Sequence, residues 1–327
     1  MSAILLGRSD VERLLAPAAC IAAVEQAFGD YALGKVAAPG ILGMHAGTGG
    51  FHVKAGFLAA DRPYFAAKIN ANFPGNAARG LPTIQGAIVL FDAAEGVPLA
   101  VMDSMSVTAL RTAAASAVAA KHLARESVGT LLLYGCGAQA REQLRALLCV
   151  RRAKRVLVHD LDPARAERFA AMQSRETNLP VEAVADPASV IAQSAIVVTC
   201  TTARRYFIEA DRVAPGTFIA AVGADSENKQ EIDPGLLARG KVVTDLTAQA
   251  AAIGDLHHAI EAGLMTAAGV HAELGEVVAG LKPGREGENE TFVFDSTGTG
   301  LQDVAAAIAV YRSAVAAGAG RAFDLAA

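Results

Sequence analysis

From Val128 onward the chain repeats one texture: short β-branched or Leu-rich runs separated by helical patterns. The runs are Val128–Gly135, Arg155–Asp160, Val181–Ala185, Ala195–Thr201, Thr217–Gly223 and Lys241–Asp245. Helical patterns between them include Arg141–Cys149 and Pro163–Gln173. Strands alternating with helices predict right-handed crossovers and an α/β, Rossmann-type doubly wound parallel sheet. A last strand, Thr291–Asp295, and an Ala-rich helix, Leu301–Ala317, close the chain.

The first third reads differently. Pro17–Leu33 is a helix with Pro in its first turn and Gly34 just past its end. Strand-like runs follow at Gly50–Phe57, Tyr64–Ile69, Ile84–Phe91 and Pro98–Met102. Ser106 is then expected to cap an Ala-rich helix running to about Ala124. If the closing helix packs back onto this region, the first domain is discontinuous. We therefore expect an α+β domain of residues 1–115 and 300–327 and a Rossmann domain of residues 116–299.

Composition limits what such a chain can do. Its 327 residues are 53% hydrophobic, with 33 acidic and 29 basic side chains and a net charge of −4. A mildly acidic balance, no Trp and 5% aromatic residues argue against a nucleic-acid surface. A mean hydropathy of +0.33 excludes disorder. No stretch approaches the ~20 apolar residues that a membrane span needs. The apolar run in Met1–Asp10 is too short for a signal peptide, so a soluble cytoplasmic protein is expected. Cys20, Cys136, Cys149 and Cys200 lack paired spacing and read as reduced thiols, with no metal site. The His257-His258 pair reads as surface or packing residues.

The sharpest local signal is Gly135-Cys136-Gly137-Ala138-Gln139-Ala140, which follows a strand and opens a helix. Gly135 would permit the tight turn, and Gly137 would let backbone amides approach a pyrophosphate. Ala140 can replace the third glycine, and the helix N-terminus presents N–H donors and a positive dipole end. Asp160 ends the next strand, 25 residues after Gly135. It is placed to accept hydrogen bonds from a ribose and to repel a 2′-phosphate, favouring NAD over NADP.

Further motifs stand in a fixed order: Ala67-Lys68-Ile69-Asn70, Asn72-Phe73-Pro74-Gly75-Asn76, Gly80-Leu81-Pro82-Thr83 and Met102-Asp103-Ser104. After them come Thr108–Ala114, Gly135–Gln139, Gly223-Ala224-Asp225, Glu273–Glu276 and Phe294–Gly298. On these stretches the chain resembles the ornithine cyclodeaminase/mu-crystallin family from end to end. The resemblance implies a Rossmann domain plus a smaller substrate-binding and dimerisation domain. It also implies hydride transfer between nicotinamide and the α-carbon of an amino or imino acid, in a homodimer.

In that setting Lys68 matches the family's active-site lysine, and its apolar neighbours would lower its pKa toward acid/base use. Arg111 is expected in the first turn of its helix, where a cation opposes the dipole, and the family match makes it a fork on the substrate carboxylate. Thr83 would add a hydroxyl contact. Asp225, after a sheet strand, matches the family aspartate acting as general base. Ala138, Gln139, Thr201, Val222 and Ser296 are expected contacts to NAD beside Gly135, Gly137 and Asp160.

Two departures bear on substrate. Family members commonly carry Pro-x-Arg where this chain has Pro39-Gly40-Ile41. Ornithine cyclodeaminases place a carboxylate for the distal amine where this chain has His52, with Lys54 two residues on. Lys54 would repel a second ammonium, or serve as a carboxylate partner in place of the missing arginine. The expectation is an NAD(H)-dependent ketimine reductase or amino-acid dehydrogenase. The alternatives are an ornithine cyclodeaminase forming proline and ammonia, and a non-catalytic mu-crystallin-like protein that binds a dinucleotide.

Overall fold

The computed structural model describes residues 2–324. It begins with β1 (Ser2–Leu6), α1 (Arg8–Leu14), α2 (Pro17–Ala32), β2 (Gly40–Ala46), β3 (Gly49–Ala59), β4 (Pro63–Asn72), β5 (Ile84–Asp92), β6 (Val97–Asp103) and α3 (Ser104–Leu123). There follow β7 (Ser127–Tyr134), α4 (Ala138–Val150), β8 (Arg152–His159), α5 (Pro163–Thr177), β9 (Val181–Ala183), β10 (Ile196–Thr199), β11 (Arg204–Ile208) and β12 (Phe218–Ala221). Next are β13 (Gln230–Ile232), α6 (Pro234–Arg239), β14 (Lys241–Thr244), α7 (Thr247–Ile253), α8 (Asp255–Glu261), β15 (Ala272–Glu273) and α9 (Leu274–Val278). The chain ends with β16 (Phe292–Asp295), α10 (Gly300–Ala317) and β17 (Arg321–Asp324).

These elements form two compact units. One comprises the described residues through Arg111 and those from Thr299 onward; the other is Thr112–Gly298. In the first, a seven-stranded sheet has the order β17-β1-β6-β5-β4-β3-β2. Only the β1–β6 pairing is parallel. One face carries Tyr64, Ala66, Ile88, Leu90 and Met102, all buried, against α10. Close approach is possible because Gly56 of β3 lies against Gly300 of α10: a Cβ on Gly300 would fall 2.3 Å from the Ala55 carbonyl oxygen. The opposite face leaves Leu42, Met44, Phe51, Phe65 and Ile69 exposed.

In the second unit, eight strands form a sheet of order β15-β14-β16-β12-β10-β7-β8-β9, parallel throughout. The six sequence runs read as β-branched or Leu-rich become β7, β8, β9, β10, β12 and β14, with β9 at one edge, and β10, β12 and β16 are buried along their whole length. The order reverses between β7 and β10, the switch point where ligands bind in open α/β sheets.

One expectation is corrected. α3 begins at Ser104, not at Ser106, because β6 runs directly into it and the Asp103 carboxylate accepts the Ser106 amide at 2.8 Å. The capping group is therefore Asp103. Arg111 lies two turns into the helix, so opposition to the helix dipole does not explain it. Burial does.

Candidate active site

In the first unit the strand register sets up the site. On the inner face of the sheet Ile41 pairs with Lys54, Lys54 with Lys68, and Lys68 with Ile88. Like charges directly across a strand pair are unfavourable, so Lys54 beside Lys68 needs compensation. Asp303 supplies it from the first turn of α10. The Lys68 Nζ lies 2.8 Å from Asp303 Oδ1 and 2.7 Å from Oδ2. Arg111 Nε donates to Asp303 Oδ1 at 2.9 Å, and its Nη1 donates to Gln302 Oε1 at 2.7 Å. Thr108 Oγ1 stands 3.4 Å from Lys68 Nζ.

Burial makes this group consequential: Lys68, Arg111 and Asp303 are 3%, 4% and 1% exposed. Removal from water pushes the Lys68 ammonium down to about 7. Asp303 opposes that fall, while repulsion from Arg111 and Lys54 adds to it. Burial alone would raise the Asp303 carboxyl, but Lys68 and Arg111 outweigh it and hold the group below its ordinary value. Near neutral pH this lysine can hold or release a proton, as general acid–base chemistry requires. Lys54 acts on the Asp303 carboxylate as well, alongside Lys68 and Arg111.

Lys54 is half-buried and His52, opposite Asn70, is exposed. Thr83 stands before β5 at the level of Asn72 and Phe73, four positions along β4 from Lys68; its carbonyl accepts the Phe73 amide. Asp303, Gln302 and Thr108 were not anticipated. For Gln302 and Asp303 the signal lies in α10, where a Gln-Asp step interrupts an apolar Ala-rich helix and demands polar partners.

In the second unit the glycine turn lies between β7 and α4. Gly135 has φ +93°, and a Cβ there would fall 2.9 Å from the Cys200 carbonyl oxygen. Gly137 caps α4 without a side chain to accept the first helical amides, and a Cβ added to it would meet open space. Asp160 accepts from the Cys136 amide and the Asp162 amide, each at 2.9 Å, so it also holds the turn in shape. Gln139 Oε1 and Ser296 Oγ are buried and have no hydrogen-bond partner among the described residues. A helix N-terminus without a side-chain cap, open space above Gly137 and a carboxylate at the end of β8 fit a dinucleotide.

Three expected residues have contacts of their own. The Thr201 amide and hydroxyl both donate to Glu231 Oε1 at 2.7 Å, and the Gly223 amide donates to Glu231 Oε2 at 2.8 Å. Glu231, which the sequence did not single out, thus ties together the loops after β10 and β12. Val222 is buried, and its amide donates to the Thr199 carbonyl. Asp225 has a side chain 55% exposed and pairs with Lys229 at 2.6 Å. Deeper in the unit, Asp255 accepts from the Glu231 and Ile232 amides, and Asp295 from the Leu256 amide. Burial raises Glu231 and Asp255 and pushes Asp295 up to about 7.

His257, His258 and Glu261 bring possible ligand atoms within 4.8 Å of one another. The rings are already engaged, His257 Nδ1 with the Ala251 carbonyl and His258 Nε2 with the Lys229 carbonyl.

Together the parallel sheet and its glycine turn define a Rossmann-type, dinucleotide-binding α/β protein. The sequence profile of the ornithine cyclodeaminase/mu-crystallin family matches residues 1–318, and the chain belongs to that family. It is 37% identical over 320 residues to the alanine dehydrogenase of Archaeoglobus fulgidus, covering 98% of each chain. Its fold is similar to that of an archaeal alanine dehydrogenase dimer with bound NAD (TM-score 0.95, 35% identity, 99% of this chain and 100% of that one). It is also similar to Thermococcus litoralis Δ1-pyrroline-2-carboxylate reductase in complex with NADH and L-proline (TM-score 0.92, 33% identity, 97% and 99%).

Proposed function

We propose that the protein is an NAD(H)-dependent oxidoreductase acting at the α-carbon of a small amino or imino acid, as a ketimine reductase or amino-acid dehydrogenase. The observation that carries this reading is the buried Lys68–Asp303–Arg111 cluster, a cationic seat for a carboxylate in a chain that also bears a dinucleotide turn. We assign substrate binding to the first unit and NAD binding to the second. The amides around Gly137, Ala138 and Gln139 would take the pyrophosphate, Asp160 the adenosine ribose, and Thr201, Val222 and Ser296 the remainder. Bound NADH supplies hydride chemistry. Arg111 and Lys68 grip the substrate carboxylate, with Lys54 and Thr83 at its margin, and Lys68 holds a proton that it can give or take near neutral pH. We assign the role of general base to Asp225, which accepts from Lys229 Nζ at 2.6 Å.

Lys54 on the same row as Lys68 speaks against a second ammonium, and hence against ornithine. The exposed apolar row of Leu42, Met44, Phe51, Phe65 and Ile69 supports a homodimer through the outer sheet face. Among the described residues no helix is long and apolar enough to cross a membrane. The four cysteines are free thiols, which suits a reducing cytoplasm.

The test is NADH consumption with Δ1-pyrroline-2-carboxylate, Δ1-piperideine-2-carboxylate, and pyruvate plus ammonia. Turnover of at least one supports the reading. Failure of all, or release of proline and ammonia from ornithine without net NADH change, refutes it.

A further inference from the structure

We propose that Asp303 is the positioning residue of the substrate seat: it holds the Lys68 ammonium and the Arg111 guanidinium side by side, at the spacing that receives a carboxylate. The inference rests on the reading of the first unit as substrate-binding. Its basis is geometric. One buried carboxylate contacts both cations, at 2.7 and 2.8 Å to Lys68 and 2.9 Å to Arg111. Two buried cations left to themselves repel, and neither can turn to water for compensation.

The way α10 is built supports this role. Its N-terminus lies directly on β3 because Gly56 and Gly300 lack Cβ atoms; one on Gly56 would fall 2.8 Å from the Gly300 carbonyl oxygen. Three residues after Gly300, Asp303 is thereby lowered onto the row that carries Lys54 and Lys68. The adjacent Gln302 fixes the other arm of Arg111. The groups that face the cluster are Lys54 from β3, Arg111 and Thr108 from α3, Asp303 from α10 and Cys20 from α2. Burial pushes the Cys20 thiol up to about 12, so it stays neutral. Asp303 is thus the anion that keeps Lys68 charged: without it, repulsion from Arg111 and Lys54 acts unopposed.

Asp303→Asn keeps the shape and an acceptor oxygen but removes the charge. The expected result is a rise of about tenfold or more in KM for the carboxylate substrate, with NADH affinity within about twofold of wild type. The basic limb of the pH profile should move about one unit to lower pH, because Lys68 has lost its counter-ion. Asp303→Glu, which keeps the charge but displaces it, should hold the pH midpoint near that of wild type while KM stays raised. An asparagine variant with unchanged KM and an unmoved profile would overturn the proposal, even if its melting temperature falls. Titration of the Lys68 Nζ by nitrogen NMR in wild type and both variants needs no turnover. An equal midpoint in wild type and Asp303→Asn overturns the proposal whatever the substrate proves to be, whereas absence of turnover in wild type counts only against the functional reading. If the asparagine protein does not fold, a glutamate variant with wild-type KM and midpoint overturns it.

Discussion

Replacing Arg111 by alanine tests the seat from its other side. The side chain donates twice, to Asp303 at 2.9 Å and to Gln302 at 2.7 Å, and its fork geometry matches a carboxylate. A hydrogen bond to a charged group contributes about 1.5–3 kcal/mol, so losing a two-pronged grip costs about 3–6 kcal/mol. At ~1.4 kcal/mol per tenfold, kcat/KM should fall by about 10²–10⁴. Lys68 still neutralises Asp303 in the variant, so the protein should fold, and NADH binding, followed by fluorescence, serves as the check. Arg111→Lys keeps the charge but loses the fork and should fall between the two. The assay is initial-rate NADH oxidation across substrate concentrations. A kcat/KM within twofold of wild type, in a variant that binds NADH normally, would remove Arg111 from the site.

Three other outcomes follow from the structure. Lys68 is pushed down to about 7 and must be charged to hold a carboxylate, so KM for the free enzyme should be flat at acid pH and rise above about 7; a flat profile through pH 9 would contradict this. Asp160→Ala should weaken NADH and relax discrimination against NADPH, and it should also lower stability by about 1–3 kcal/mol, because the Cys136 and Asp162 amides lose their acceptor; a wild type that already prefers NADPH would refute the role given to Asp160. Asp295 is pushed up to about 7, so the folded state holds a proton that the unfolded chain releases near pH 4, and stability from this group falls as pH rises between those values. Asp295→Asn should flatten that slope in melting curves at pH 4–7, and an unchanged slope would count against it.

Some of this was legible in the residues. The central strands of the second unit are mostly apolar because helices and loops cover both sheet faces, and that bias survives in the sequence. The glycine turn was equally plain, since Gly135 needs a positive φ and stands at a strand end. By contrast β2, Gly-Ile-Leu-Gly-Met-His-Ala, is exposed along nearly its whole length and has no buried face to impose a pattern. β1 and β17 are short and pair with strands or each other across long stretches of chain. The Gln302-Asp303 step marks a need for polar partners inside α10, but the partner Lys68 lies 235 residues away, a distance no local pattern spans. For Arg111 the helix-dipole argument fails because α3 starts at Ser104, while the motif match stands and a buried carboxylate lies in reach of the guanidinium.

The central claim is hydride exchange with the α-carbon of an organic acid, and isotope transfer measures it most directly. With NADH deuterated at the transferable C4 position and an imino-acid substrate that is turned over, the product amino acid should carry the label at its α-carbon. Unlabelled product formed while the coenzyme is consumed would contradict the account.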